Sequence, residues 1–135
     1  MSALITAGAV VCAKVVPRVA AFYRDVIGLA VTHSGHDYVV LESAQFQLVV
    51  HSIPAGIANS IEIADPPARR VDTAVKLIFL VPDISASRIM AAKLGGELDP
   101  TAREWRFQEC RVCDGHDPEG NVIQLREPPA GRGTP

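Results

Sequence analysis

Apolar positions along the chain change their spacing at definite places, and those changes predict the elements. Ala9 to Val16 is rich in valine and polar only at Lys14, the pattern of a largely buried strand. Pro17 then suits the first turn of a helix. Val19, Phe22, Tyr23, Val26 and Ile27 follow at i, i+3, i+4, i+7 and i+8, one apolar stripe, and Gly28 is placed to end it. Leu29 to Ser34 and Asp37 to Glu42 read as two strands about Ser34-Gly35. Phe46 to Ser52 is a third strand, with Gln47, Val49 and His51 on one face and Phe46, Leu48 and Val50 on the other. The first half is therefore β-α-β-β-β.

The stretch from 53 to 75 breaks the periodicity. It holds Pro54, Pro66 and Pro67 and the charged run Arg69-Arg70-Val71-Asp72, which makes it a linker, with a short strand expected at Ile61 to Ile63. The pattern then restarts. Lys76 to Val81 is a strand, and Pro82-Asp83 opens a helix whose stripe is Ser87, Met90, Ala91 and Leu94. Gly95-Gly96 closes it. Extended segments follow at Glu97-Leu98, Trp105 to Asp114 and Asn121 to Arg126. An offset of 68 lays Phe22 on Met90, Val26 on Leu94 and Gly28 on Gly96. Beyond the helix the second half is longer, since Gln47 and Gln124 lie 77 apart, and the extra loop, Thr101 to Phe107, carries the only tryptophan. The chain is thus expected to be one α+β domain of two tandem modules: 8–52, a linker at 53–75, and 76–127. A disordered tail is expected at 128–135.

Asp117-Pro118-Glu119-Gly120-Asn121 calibrates the second module. Asp at i, Pro at i+1 and Gly at i+3 is a type I turn closing a hairpin. If Asp117 pairs with Asn121, His116 lies opposite Val122 and Asp114 opposite Gln124, and opposite residues share a face.

Composition narrows the function. With 13 basic and 15 acidic residues, the formal charge of −2 gives no electrostatic basis for nucleic acid or an anionic membrane. No apolar run approaches the roughly 20 residues that span a bilayer. Met1 to Val16 lacks the charged start of a signal peptide. Three cysteines, an odd count, favour reduced thiols and a cytoplasmic location. Cys110 and Cys113 form a Cys-x-x-Cys without a second pair at zinc spacing, and read as strand residues on opposite faces.

Three motifs in order, Phe22-Tyr23-Arg24-Asp25-Val26-Ile27-Gly28-Leu29, then Val81-Pro82-Asp83-Ile84 with Gly95-Gly96, then Asp117 to Leu125, resemble the vicinal-oxygen-chelate superfamily. That group includes glyoxalase I, bleomycin-resistance proteins, fosfomycin-resistance enzymes and extradiol dioxygenases. The resemblance covers roughly residues 8 to 127. It implies a cupped, mostly antiparallel sheet with helices outside, a homodimer, and in the enzymes a divalent metal held inside the cup as a Lewis acid. Carried over by position, the ligand places here are Gly8, Lys76 and Gln124, with Gln47 or His51 according to register. Glycine has no donor atom, protonated lysine repels a dication, and an amide is a poor ligand beside a carboxylate. No metal or other cofactor is therefore expected.

Gln124 faces the cup by its family position, which brings Asp114, His116 and Val112 with it. Lys76 and Ile78 are expected across from them, with Val10, Cys12, Gln47, Val49 and His51 from the first module. Trp105 and Phe107 overhang the mouth. Apolar walls with a few convergent polar groups describe a small-molecule site. The first reading is a metal-free binder of a small organic molecule. A glyoxalase-type lyase or isomerase is the second, with Asp114 or His116 as general base and Lys76 polarising a carbonyl. The third is a metal enzyme in another register.

Overall fold

The computed structural model describes residues 4–130, so most of the expected tail, 131–135, lies outside the described residues. Within them the chain divides into two compact units, one ending at Ile63 and one beginning at Ala64.

In the first unit, strand β1 (Ala7–Ala13) leads into helix α1 (Val16–Phe22), with Pro17 in its first turn, where the missing N–H has no helical partner to lose. The helix widens into a π-helical turn over Tyr23–Ile27 and stops at Gly28, whose φ of 92° is left-handed. Strands β2 (Ala30–Ser34), β3 (Tyr38–Ser43) and β4 (Phe46–Ser52) follow, and the sheet order is β1-β4-β3-β2. β1 runs parallel to β4 while the other pairs are antiparallel. α1 packs across β3 and β4. Val19, Phe22, Tyr23 and Val26 are buried with Leu41, Leu48 and Val50, the last two from the β4 face opposite Gln47, Val49 and His51. The other face, with Gln47 and Val49, is open of the helix.

The expected strand at Ile61 to Ile63 is absent. Instead, one helical turn, α2 (Ala55–Ala58), follows Pro54, and no strand pairs with residues 61–63. Their apolar-polar-apolar pattern mimics a strand, but no free strand edge takes them up.

The second unit repeats the plan with β5 (Leu77–Leu80), α3 (Ile84–Lys93), β6 (Glu97–Leu98), β7 (Trp105–Phe107), β8 (Cys110–His116) and β9 (Val122–Glu127). Asp83 caps α3, its carboxylate accepting from the N–H groups of Ser85 and Ala86 at 2.9 and 3.2 Å. The order is β5-β9-β8-β6, with β7 also on β8 and β5 parallel to β9. α3 packs on β6 and β9. Phe79, Val81, Ile84, Ala91, Leu98, Cys113, Ile123 and Leu125 make the core.

Two details of the repeat differ from the sequence alignment. The helices start 68 positions apart, at Val16 and Ile84, but the left-handed glycines are Gly28 and Gly95, 67 apart. The π-helical turn takes up the extra residue in the first unit, so Gly95 and not Gly96 is the counterpart of Gly28. Strand pairing also sets Val10 beside Val49 and Ile78 beside Gln124, so the first-unit counterpart of Gln124 is Val49, not Gln47.

Candidate functional site

The turn at Asp117 fixes the geometry of the second sheet. Its side chain is fully buried, and Oδ1 accepts from the N–H of Glu119 at 2.9 Å and of Asn121 at 3.0 Å. Asn121 Nδ2 also donates to Oδ2 at 2.9 Å, and the main chain closes with Asp117 N–H on Asn121 O at 3.0 Å. These bonds let the Asp117 side chain hold the loop itself. The linker crosses over it, and Arg70 N–H donates to Gly120 O at 2.9 Å. Strand register then follows as the turn dictates, with His116 opposite Val122 and Asp114 opposite Gln124.

On the face of this sheet away from α3, charged and amide groups form one chain. Lys76 Nζ donates to Asp114 Oδ2 at 2.8 Å, and Gln124 Nε2 donates to Asp114 Oδ1 at 3.2 Å. Arg126 Nε donates to Gln124 Oε1 at 3.0 Å, and its guanidinium lies 4.9 Å from the centre of the Phe107 ring. Charge on either side therefore orients the Gln124 amide, with nitrogen towards the carboxylate and oxygen towards the guanidinium. Arg126 has no carboxylate partner among the described residues. Ile78, Leu80, Trp105 and Phe107 are exposed. A recess of about 270 Å³ opens beside Lys76, Asp114 and Val122, under the Arg69 and Val71 to Val75 part of the linker.

His116 is on the same face by register but does not join this chain. Its ring is buried, with Nδ1 2.9 Å from Asp117 O and Nε2 3.8 Å from Glu97 Oε1, and it borders a different recess. β6 pairs Glu97 with His116 and draws the imidazole towards the end of α3.

In the first sheet, Gln47 Nε2 donates to Glu42 Oε2 at 2.8 Å, again an amide on a carboxylate directly across the strands. His51 is exposed at the strand end. It stacks on Tyr38 with centroids 6.2 Å apart and planes 8° from parallel, and its Nδ1 is 2.9 Å from Ser52 O. The Tyr38 hydroxyl in turn meets His33 Nε2 at 2.8 Å. Cys12 pairs in register with His51, and Gly8 with Gln47. A Cβ on Gly8 would lie 2.7 Å from the Gln47 carbonyl oxygen, so no side chain fits there without moving the strand.

The residues that sequence reasoning missed are ionic. Glu104, its side chain 6% exposed, accepts from Arg111 Nε at 2.5 Å and from Arg88. Arg88 Nε also donates to Asp99 O at 2.9 Å, and Arg111 Nη1 lies 3.4 Å from Glu127 Oε1. This lattice fastens the loop bearing Trp105 to α3 and the sheet. Arg126 was legible, since it lies two positions beyond Gln124 on the same strand face, whereas Glu104 had no periodic signal. Cys110 and Cys113 are free thiols on opposite faces of β8. Burial pushes the Cys113 thiol up, and the hydrogen bond from Arg88 only partly opposes it, so this is an inert packing cysteine.

A family model described as glyoxalase-like domain matches residues 8–126. A glyoxalase/bleomycin resistance protein/dioxygenase family enzyme from Burkholderia phytofirmans PsJN superposes with a TM-score of 0.66 at 15% identity, over 89% of this chain and 95% of that one. For a bleomycin-binding protein complexed with bleomycin the score is 0.56 at 12% identity, over 90% and 97%. For a fosfomycin resistance protein from Mesorhizobium loti it is 0.58 at 11% identity, over 96% and 95%. At these identities the likeness is one of fold. No curated protein sequence resembles the chain closely enough to count as a match.

Proposed function

The chain belongs to the glyoxalase-like domain family, and from that premise we propose that it binds a small organic molecule on the open face of its second sheet without the divalent metal of the family's enzymes. The observation that carries this reading is the Gln124 amide, which is held between Asp114 and Arg126. A cation beside Gln124 Oε1 would have to displace a guanidinium and sit near a lysine, against both charges. Gly8 supplies no donor and has no room for one. Lys76 is committed to Asp114. Among the described residues, no three His, Cys, Asp or Glu side chains are grouped as a metal would need. The donor set therefore does not fit the group, and no step is assigned to it.

The same face describes the ligand. Lys76 and Arg126 against a single carboxylate, Asp114, leave an excess of positive charge, and Trp105 and Phe107 supply exposed rings. A planar molecule bearing a carboxylate or several acceptor oxygens suits this surface. Proton transfer by Asp114 with Lys76 polarising a carbonyl would first require that ion pair to open, which is why binding is preferred to catalysis. The sequence contains one tryptophan, so Trp105 emission reports on the site directly. Titration with aromatic carboxylates such as 2-naphthoate is expected to change that emission saturably. Lys76→Ala should weaken binding roughly tenfold, and Asp114→Asn, which frees the ammonium, should tighten it. If neither change moves the affinity, the site is misplaced.

The homodimer implied by the family resemblance is part of this proposal. Sedimentation equilibrium is expected to give twice the 14.4 kDa chain mass, and a monomer at micromolar concentration would remove it.

A further inference from the structure

Away from the Lys76 to Arg126 chain, the second unit holds a separate recess of about 260 Å³ at the C-terminal end of α3, between Gly95-Gly96, Glu97 and the Asp65-Pro66-Pro67 segment. His116 lies at its base, with a side chain 5% exposed, and Glu97 lies at its rim, 72% exposed. The contact of His116 Nδ1 with Asp117 O determines the tautomer. A carbonyl can only accept, so Nδ1 carries the hydrogen, and in the neutral ring Nε2 is a bare lone pair. Nothing among the described residues donates to that lone pair. Glu97 Oε1, 3.8 Å away, is itself an acceptor and too distant for a hydrogen bond. No fully buried side-chain nitrogen or oxygen of the described residues lacks a partner, so Nε2 opens onto the recess.

Every polar side chain lining this space therefore accepts: His116 Nε2, Glu97 and Asp65, with no lysine or arginine among the lining residues. The C-terminal end of α3 adds partial negative charge, which Lys93 in the last turn partly offsets without lining the recess. Pro66 and Pro67 add flat apolar wall. The three side chains are not grouped at metal-binding distances, so a bare ion is not the natural occupant. We propose that this recess binds a small organic cation with at least two N–H donors, an amidinium or a primary ammonium, with Nε2 of His116 and the Glu97 carboxylate as its acceptors. Neither the ligand class nor the residues are those of the open-face site, so each proposal stands or falls alone.

The test uses benzamidine and its neutral isostere benzamide on the full chain, followed by amide and imidazole nitrogen NMR. Benzamidine is expected to shift the Gly95 and Gly96 amides and the His116 ring saturably, and benzamide is not. Glu97→Gln, at a solvent-exposed position, preserves the fold and should weaken benzamidine roughly tenfold. Equal binding of the two probes, undiminished binding to Glu97→Gln, or no response of these resonances to millimolar benzamidine would each overturn the assignment.

Discussion

Glu104→Ala is expected to lower the unfolding free energy by about 3 kcal/mol, because it strands two part-buried guanidinium groups around a vacated carboxylate. Arg88 and Arg111 both bond to Glu104, which ties α3, β8 and the loop before β7 together. Urea unfolding should show the midpoint drop, with Trp105 emission as the local probe. Acidity should have a matching signature. Burial pushes the Glu104 carboxyl up, but the hydrogen bonds from Arg111 and then Arg88, with their charges, outweigh it and hold it below its ordinary 4.5. A depressed folded value means the stabilisation is fully present above the unfolded value and is lost as pH falls through the folded one. The stability gap between the native sequence and Glu104→Gln should therefore be full at neutral pH and close in acid. A gap that does not change with pH down to acid unfolding would remove the ionic account of the loop.

Gly120→Ala is the second severe substitution. Gly120 has φ of 85°, and an added Cβ would fall 2.1 Å from the backbone oxygen of Ala68, where the linker crosses the turn. Gly28 has a similar φ of 92° with nothing within 4 Å of the added atom. The two alanine variants thus separate conformational strain from collision. Gly28→Ala should cost about 1 kcal/mol, and Gly120→Ala at least about 2 kcal/mol more, since backbone rather than a flexible side chain must move. Thermal unfolding of both variants provides the comparison, and equal losses would mean that the linker does not press on the turn in solution.

The features that could be read in the sequence were those set by local periodicity. The stripe from Val19 to Ile27, the alternation of Phe46 to Ser52 and the Asp117 turn each specify a conformation within a few residues, and the structure follows them. From that turn, one register argument placed Asp114 opposite Gln124. The failures have the same origin. Gln108 and Glu109 form a hairpin turn at positive φ, 50° and 65°, without the glycine or asparagine that signals one, so Trp105 to Asp114 read as one extended run. His116 shares its face with Asp114, yet the short pairing with β6 diverts it to another recess. The Glu104 lattice joins residues far apart in sequence, which no spacing rule connects. The π-helical turn shifted the repeat by one residue, a change that composition cannot show.

The Lys76, Asp114, Gln124 and Arg126 chain is the centre of the proposed function, because internal hydrogen bonds occupy the Gln124 amide at the position where the family resemblance implies a metal ligand. Elemental analysis of protein purified without chelator, followed by calorimetric titration of the stripped protein with nickel, cobalt, manganese and zinc, tests it most directly. The expected result is substoichiometric metal as purified and no saturable heat that depends on Gln124. One tightly bound ion per chain, released by Gln124→Ala, would contradict the account.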